Sequence, residues 1–494
     1  MASNPRKALS WSFAMNMSSL GISGVMAFIL AAILGPESFG IVAIAGIFVF
    51  FIQIVAGQFL STVIIQRKDL QKGHLDTIFW VSIVWCLLMS VVAYSASGFW
   101  GKINNTPEVT NVIIAMAPLI LLKGLTTLPL GMLVRAMDFK HLTYIHVIGG
   151  ILGGLIGVYM ALNGYGIWAL VVQQWVGVVI FMTLAWFFNP YAVGFDISWK
   201  YLKDVLPFAG GAFLNEMGGF AQSRMEAILV GILFGPILIA LYRICDRLVD
   251  IVNSLLSRSI AVFILPYASQ HQNDTAKLAQ IVEKCIRLSA GLSFPILGVL
   301  GGMSSVVLEI LGDEWAVAWL GLIMLCVVGA VQSFSILTPY LLQAIGKPGI
   351  GAALTWGTTC TSVVSFIVVA HFFRDEAVEY QLAALAGMRA LVFVVINVPA
   401  NFLLINWTVK FPPGYLSKLL FAPLSSFLAG LASGYVLLNY LIPESWDLFA
   451  RFVLSGFGSG GIAIITLLLL DTYIFNIFTG ILKTASNRFF SKGI

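Results

Sequence analysis

Eight ionisable residues, Glu216, Arg224, Glu226, Arg243, Asp246, Arg247, Asp250 and Arg258, fall inside two neighbouring apolar runs of the sequence. Lys123 and Arg389 each stand in a run of their own. At a bilayer centre each such group costs about 2.5–3.5 kcal/mol on insertion scales, so all ten are expected to face a protein interior or a wet cavity. Six of the ten are basic. Guanidinium groups present a planar fork that matches phosphate oxygens, so the chemistry indicated is the holding of an anionic group within the membrane.

The spacing sharpens this reading. At about 100° per residue, Arg243, Asp246, Arg247, Asp250, Asn253, Ser254, Ser257 and Arg258 share one sector of a single helix, while Ile244, Leu248, Ile251, Val252, Leu255 and Leu256 make up the rest. The preceding run carries Glu216, Arg224 and Glu226 around Gly218-Gly219 and opens with Pro207 and Gly210-Gly211, a composition that permits a bent helix lining a cavity. Arg247, Arg243, Arg258, Lys123 and Arg224 are the candidates for anion contact. Glu216, Glu226, Asp246 and Asp250 are candidates for proton or sodium coupling, or for internal salt bridges with those cations.

These residues must be positioned by membrane helices. The 494 residues are 59% apolar and 10% charged, with a mean hydropathy of +0.96; ordinary soluble domains are about 25% charged. Runs of the necessary ~20 residues occupy 11–34, 39–64, 77–100, 109–134, 143–162, 166–189, 206–233, 237–265, 288–311, 317–342, 350–371, 382–407, 419–440 and 448–470. The fold expected is an all-α integral membrane protein of about fourteen helices. Arg6, Lys7, Arg67, Lys68, Lys72, Arg135, Lys140, Lys200, Lys203, Lys277, Lys284, Arg287, Lys347, Lys410, Lys418, Lys483, Arg488 and Lys492 gather on one side, against Lys102 and Arg374 on the other. The positive-inside rule then places both termini in the cytoplasm.

Other chemistries find little support. Cys86, Cys245, Cys285, Cys326 and Cys360 show no CxxC spacing, and the five histidines are scattered, so neither a metal site nor a covalent catalyst is indicated. Gly101-Lys102 and Gly346-Lys347 lie outside any phosphate-loop pattern. The chain is expected to be no enzyme, to use no cofactor beyond a coupling proton or sodium ion, and to bind no nucleic acid. The connection 266–287 and the tail from 471 both read as amphipathic surface helices among membrane lipids. Tyr165, Trp168, Gln173, Gln174 and Trp175 read chiefly as packing or interfacial anchors, with sugar contact as the competing role.

Several connections carry recognisable motifs: Pro36-Glu37-Ser38-Phe39-Gly40, Ile65-Gln66-Arg67-Lys68-Asp69-Leu70, Arg135-Ala136-Met137-Asp138-Phe139-Lys140, Gly164-Tyr165-Gly166-Ile167-Trp168-Ala169-Leu170-Val171, Leu265-Pro266, Gly312-Asp313-Glu314-Trp315 and Ala344-Ile345-Gly346-Lys347-Pro348. In order and spacing these resemble the bacterial polysaccharide transporter family, Wzx-type flippases of the multidrug/oligosaccharidyl-lipid/polysaccharide exporter superfamily. The resemblance implies two pseudo-symmetric six-helix lobes, 1–200 and 201–407, followed by two helices and a tail, 408–494. It also implies transfer of an undecaprenyl-diphosphate-linked oligosaccharide from the inner to the outer leaflet of the bacterial inner (cytoplasmic) membrane by alternating access, for exopolysaccharide, capsule or O-antigen synthesis. The polysaccharide polymerase and export machinery are the implied protein partners. The rivals are an ion-coupled multidrug exporter on the same fold and a non-transporting membrane scaffold for polysaccharide assembly.

Overall fold

The computed structural model describes residues 5–58, 64–65, 70–203, 224–258, 260, 264, 268, 271, 274–345, 347–443, 445–476 and 479; the side chains of 5–10, 12, 13, 57, 58, 258 and 348 lie outside that description. Every regular element among the described residues is helical. Eleven of these helices are long and apolar enough to cross a membrane, fewer than the fourteen expected. One source of the difference is Ala14–Ala56, which merges two expected spans. A straight helix of 43 residues would be about 65 Å long, twice the hydrocarbon thickness. Gly35 breaks it at φ 71 and ψ 171, a backbone conformation that a side chain would strain, and Pro36 opens the second stretch. The expected span 206–233 is described only from 224. The helix that follows, Pro236–Asn253, carries Arg243, Asp246, Arg247 and Asp250 and is too highly charged to count as an apolar span.

The chain gathers into two compact units, Met1–Leu241 and Tyr242–Ile494, with the boundary inside the helix Pro236–Asn253. Both units expose large apolar side chains on their helices. Examples are Val84, Val91 and Phe99 in the first, and Leu403, Phe457 and Leu469 in the second, the last three 71%, 80% and 77% accessible. Such surface is tenable against lipid and costly against water.

Within the first unit, helix breaks are repaired by indoles. Pro129 has no N–H to give, which orphans the Leu125 carbonyl one turn earlier. Trp186 Nε1 donates to that oxygen at 3.1 Å, and Asn189 Nδ2 donates to the Pro129 carbonyl at 3.1 Å. Trp175 Nε1 likewise donates to the Ala115 carbonyl at 2.9 Å, which gives this tryptophan the packing role. The start of the helix Lys72–Ile103 meets the connection 189–198: Tyr191 Oη and the Gly194 N–H both donate to Asp76 Oδ1 at 3.1 Å, and Trp80 Nε1 donates to the Gly194 carbonyl at 3.0 Å. Two connections expected on the same side of the membrane therefore meet. Burial first, and then the Asp76 carboxylate it faces, push the Tyr191 phenol up to about 12. The stabilising effect of this neutral phenol is present below the ordinary tyrosine value near 10 and is lost as pH rises through about 12. A phenolate absorbance titration, with Tyr191→Phe as the subtracted reference, should place this group near 12 in the native chain and lower in Asp76→Asn.

In the second unit, Thr275–Gly302 is one continuous helix capped by Asp274, whose side chain accepts the Lys277 N–H at 3.1 Å. The expected surface helix over 266–287 is thus corrected: from 275 onward it runs directly into the membrane span. Its polar first turns are held by partners. Arg287 reaches Glu283 at 3.1 Å through Nε and both oxygens of Asp471 at 2.9 Å through Nη1. Asp471 in turn accepts the Tyr473 and Ile474 N–H groups, capping the helical start of the tail; the tail beyond 480 lies outside the described residues.

Farther along, Gly298 lies against the Phe427 backbone and Gly302 against Gly430 and Gly434 on Tyr415–Val436. Small residues at four-residue spacing bring membrane helices into backbone contact. A Cβ on Gly302 would stand 2.6 Å from the Leu431 carbonyl oxygen. Gly302→Leu is expected to separate the two helices and lower the apparent melting temperature in detergent by about 2–6 °C, on the scale of overpacking costs in a chain of this size; size-exclusion and thermal-shift profiles check this.

Candidate functional site

The charged residues expected to matter are distributed over both units. In the first, the stretch ending at Gln53 presents Phe50 and Gln53 three residues apart, hence on one helix face. Lys123 Nζ donates to Gln53 Oε1 at 2.6 Å, and the Arg224 guanidinium lies over the Phe50 ring, 5.6 Å from its centroid. Lys123 and Arg224 are thereby brought to the same face of one helix. The partner of Lys123 in this contact is a neutral carboxamide. It fixes the ammonium in place and leaves its charge uncancelled. Glu226, half-buried on the helix over 224–234, has interactions of its own. Glu216 lies outside the described residues.

In the second unit, the helix Pro236–Asn253 keeps Tyr242, Cys245 and Val249 buried, at 2%, 0% and 3% exposure, while Arg243, Asp246, Arg247 and Asp250 are half-buried. The charged sector thus stays partly exposed in a helix whose other side is packed. Arg389, 11% exposed, bridges to this helix from Val378–Val392. Its Nη1 lies 2.9 Å from Asp246 Oδ1 and donates to Tyr242 Oη at 2.6 Å. Its guanidinium carbon is 5.8 Å from the ring centroids of both Tyr242 and Phe393. Tyr242 and Asp246 are one turn apart, as are Arg389 and Phe393, so two helices interlock through matched pairs. The Asp246 side chain remains 46% accessible. Arg243, Arg247 and Asp250 each interact with neighbouring groups.

The ion pair changes the charge balance of the stripe. With Asp246 offset by Arg389, two arginines face one aspartate among the described charges of Pro236–Asn253. Sequence spacing counted Arg389 among the intramembrane charges without placing it in the site; a solitary arginine in an apolar run requires a counter-charge, and that requirement is the signal that could have found it. The sequence also extended the wet stripe too far. Asn253 and Ser257 are 4% and 0% exposed. Asn253 Nδ2 donates to the Gly329 carbonyl at 3.1 Å, and the Ser257 and Ser293 hydroxyls are 3.0 Å apart. The cause is a π-turn over Ser254–Arg258, which alters the angle per residue and turns this end of the stripe into the protein. The backbone of Arg258 closes that turn, and its side chain lies outside the described residues.

Among the described residues no group of three or more His, Cys, Asp or Glu is placed to hold a metal ion. What the arrangement offers is an ammonium held by a carboxamide, a guanidinium over an aromatic ring, and a partly exposed carboxylate paired with Arg389.

Residues 29–319 match the family described as Polysaccharide biosynthesis protein. The succinoglycan biosynthesis transport protein ExoT of Rhizobium meliloti is 24% identical over 389 residues, 78% of this chain and 78% of that one. The lipopolysaccharide biosynthesis protein WzxC of Escherichia coli is 22% identical over 360 residues, covering 70% and 68%. Among solved structures, the lipid II flippase MurJ in an inward closed conformation superposes with a TM-score of 0.72 at 13% identity, over 95% of this chain and all of that one. An inward-facing multidrug resistance MATE family transporter of the MOP superfamily gives 0.56 at 14% identity, over 81% and 96%. The fold is that of this group of membrane transporters.

Proposed function

The chain belongs to the polysaccharide biosynthesis protein family, and from that premise we propose that it turns an undecaprenyl-diphosphate-linked oligosaccharide from the inner to the outer leaflet of the bacterial cytoplasmic membrane. That it is a multi-pass transporter of polysaccharide assembly, and no enzyme, follows from the family and from relatives named for transport. The finer reading, including the diphosphate substrate, rests on chemistry. One observation carries it: a membrane-length helix, packed on one side, keeps Arg243, Arg247 and a 46% accessible Asp246 on the other. Partly exposed charge whose formal balance, with Arg389 counted, is positive suits a phosphate group within the hydrocarbon depth and repels a cationic drug.

In this reading Arg243 and Arg247, with Arg258, and Lys123 with Arg224, take the diphosphate in turn while the prenyl chain stays in lipid. Alternating access would let the headgroup leave on the far side. An inside-negative potential favours outward movement of each negative charge by about 2.3 kcal/mol per 100 mV. Proton or sodium coupling would fall to Glu216, Asp246 or Asp250. The test is a leaflet-accessibility assay in proteoliposomes with a fluorescent undecaprenyl-diphosphate disaccharide. The native chain should make the inner-leaflet probe accessible from outside, whereas empty liposomes should not; equal signals from the two would refute the reading.

A further inference from the structure

Two of the four π-turns among the described residues recur at matching places in the chain, Ile54–Gln58 and Ser254–Arg258, 200 residues apart. Their surroundings match as well. Each is immediately preceded by a buried carboxamide, Gln53 at 7% exposure and Asn253 at 4%. Each carboxamide reaches a later helix of its own unit: Gln53 accepts from Lys123, 70 residues on, and Asn253 donates to the Gly329 carbonyl, 76 residues on. Each turn is also braced by the next helix in sequence. Trp85 Nε1 donates to the Val55 carbonyl at 2.9 Å and Cys86 Sγ to the Ala56 carbonyl at 3.1 Å, both 30 residues on. Ser257 pairs with Ser293, 36 residues on.

A π-turn holds one residue more than the α-helix around it, which displaces the ladder and leaves carbonyls in need of outside donors. In the first unit the needy carbonyls are those that Trp85 and Cys86 serve. The braces named here are single hydrogen bonds from an indole, a thiol, a hydroxyl, an amide or an ammonium, and the backbone ladder can reclaim its carbonyls if the extra residue migrates. Moving it by one position turns the following segment by about 100° and shifts it by about 1.5 Å. The remaining π-turns, Phe393–Asn397 and Leu437–Leu441, have no counterpart 200 residues earlier, where the chain is the irregular connection at 193–197 and the regular helix Pro236–Asn253.

We propose that Ile54–Gln58 and Ser254–Arg258 are a matched pair of hinges, one in each unit, whose braces on the neighbouring helices exchange as the transporter changes access. This rests on the transport reading above. The duplication argues for it: a tolerated insertion needs no equivalent on the other half, whereas two halves that move in concert need the same joint.

The experiment has two arms. In the native chain in detergent, hydrogen–deuterium exchange over 54–58 and 254–258 should run about tenfold or more faster than in the helical turns just before them; equal protection overturns the proposal without reference to any substrate. In a chain with Cys245, Cys285, Cys326 and Cys360 replaced and the buried brace Cys86 kept, Ser257→Cys with Ser293→Cys forms a disulfide between side chains that already touch. Oxidation should cut transfer of the fluorescent undecaprenyl-diphosphate disaccharide at least tenfold, and dithiothreitol should restore it, which separates locking from misfolding. Full transfer in the oxidised form would refute the hinge. Should the native chain fail to transfer the probe, the transport reading falls, and the exchange result still decides whether the two turns open.

Discussion

Arg247→Ala is expected to leave the chain folded and membrane-inserted and to reduce transfer of a lipid-linked oligosaccharide by about 10- to 100-fold in proteoliposomes. The magnitude follows from the interaction removed. A hydrogen bond to a charged group contributes about 1.5–3 kcal/mol, and a guanidinium meets phosphate through two parallel bonds. Arg247 is half-buried on the accessible side of its helix, so truncation opens no packed core, and thermal unfolding reads separately the loss of its contacts to neighbouring groups. Arg247→Lys keeps the charge and loses the fork, and should recover only part of the rate. Lys123→Ala is expected to act in the same direction with a smaller effect, since an ammonium is a point charge. The two rival functions give different outcomes. A scaffold would be indifferent to Arg247→Ala, and a cation exporter would tolerate or gain from Arg243→Glu with Arg247→Glu. Native transfer rates in Arg247→Ala, at normal expression and monodispersity, would remove the phosphate-binding role.

Much of the architecture was legible because a bilayer imposes length. The expected run 448–470 coincides with the helix Leu448–Leu470, and 166–189 differs from Ile167–Phe188 by a residue at each end. The site was legible as a set of misplaced charges, since an ionisable group in an apolar run stands out by composition alone. Partnership was not. Asp246 and Arg389 are 143 residues apart, and no periodicity within one helix identifies a neighbour contributed by another. Nor do the π-turns leave a trace in hydropathy: a single inserted residue keeps Ser254–Arg258 as apolar as before while it redirects Ser257 into the interior. The helix from Thr275 was misread for a related reason. Lys277, Glu283, Lys284 and Arg287 resemble a solvated face until Asp471, from the far end of the chain, is seen to engage Arg287.

The Asp246–Arg389 pair should show a strong asymmetry between its two halves. Arg389 is 11% exposed and Asp246 is 46% exposed. Removing the carboxylate takes this counter-charge from a nearly enclosed guanidinium that also touches the Tyr242 hydroxyl and two aromatic rings, whereas removing the guanidinium leaves a carboxylate that is nearly half exposed. Breaking a buried pair from one side costs about 3–5 kcal/mol, and the access of Asp246 to solvent lowers the expectation for Asp246→Ala to about 2–3 kcal/mol. Arg389→Leu should cost less than that. The double variant should be more stable than Asp246→Ala alone, because the uncompensated charge has gone, so a double-mutant cycle should return a coupling of about 1–3 kcal/mol. Thermal unfolding in detergent gives the stability arm, and the leaflet assay gives the other. If Asp246 only cancels Arg389, the double variant recovers transfer along with stability. If the hydrated carboxylate also carries a coupling proton or sodium ion, stability returns and transfer driven by an ion gradient does not. Additive single-variant costs would show that the two side chains contribute independently, and Arg389 would then not offset the charge of Asp246 in the stripe.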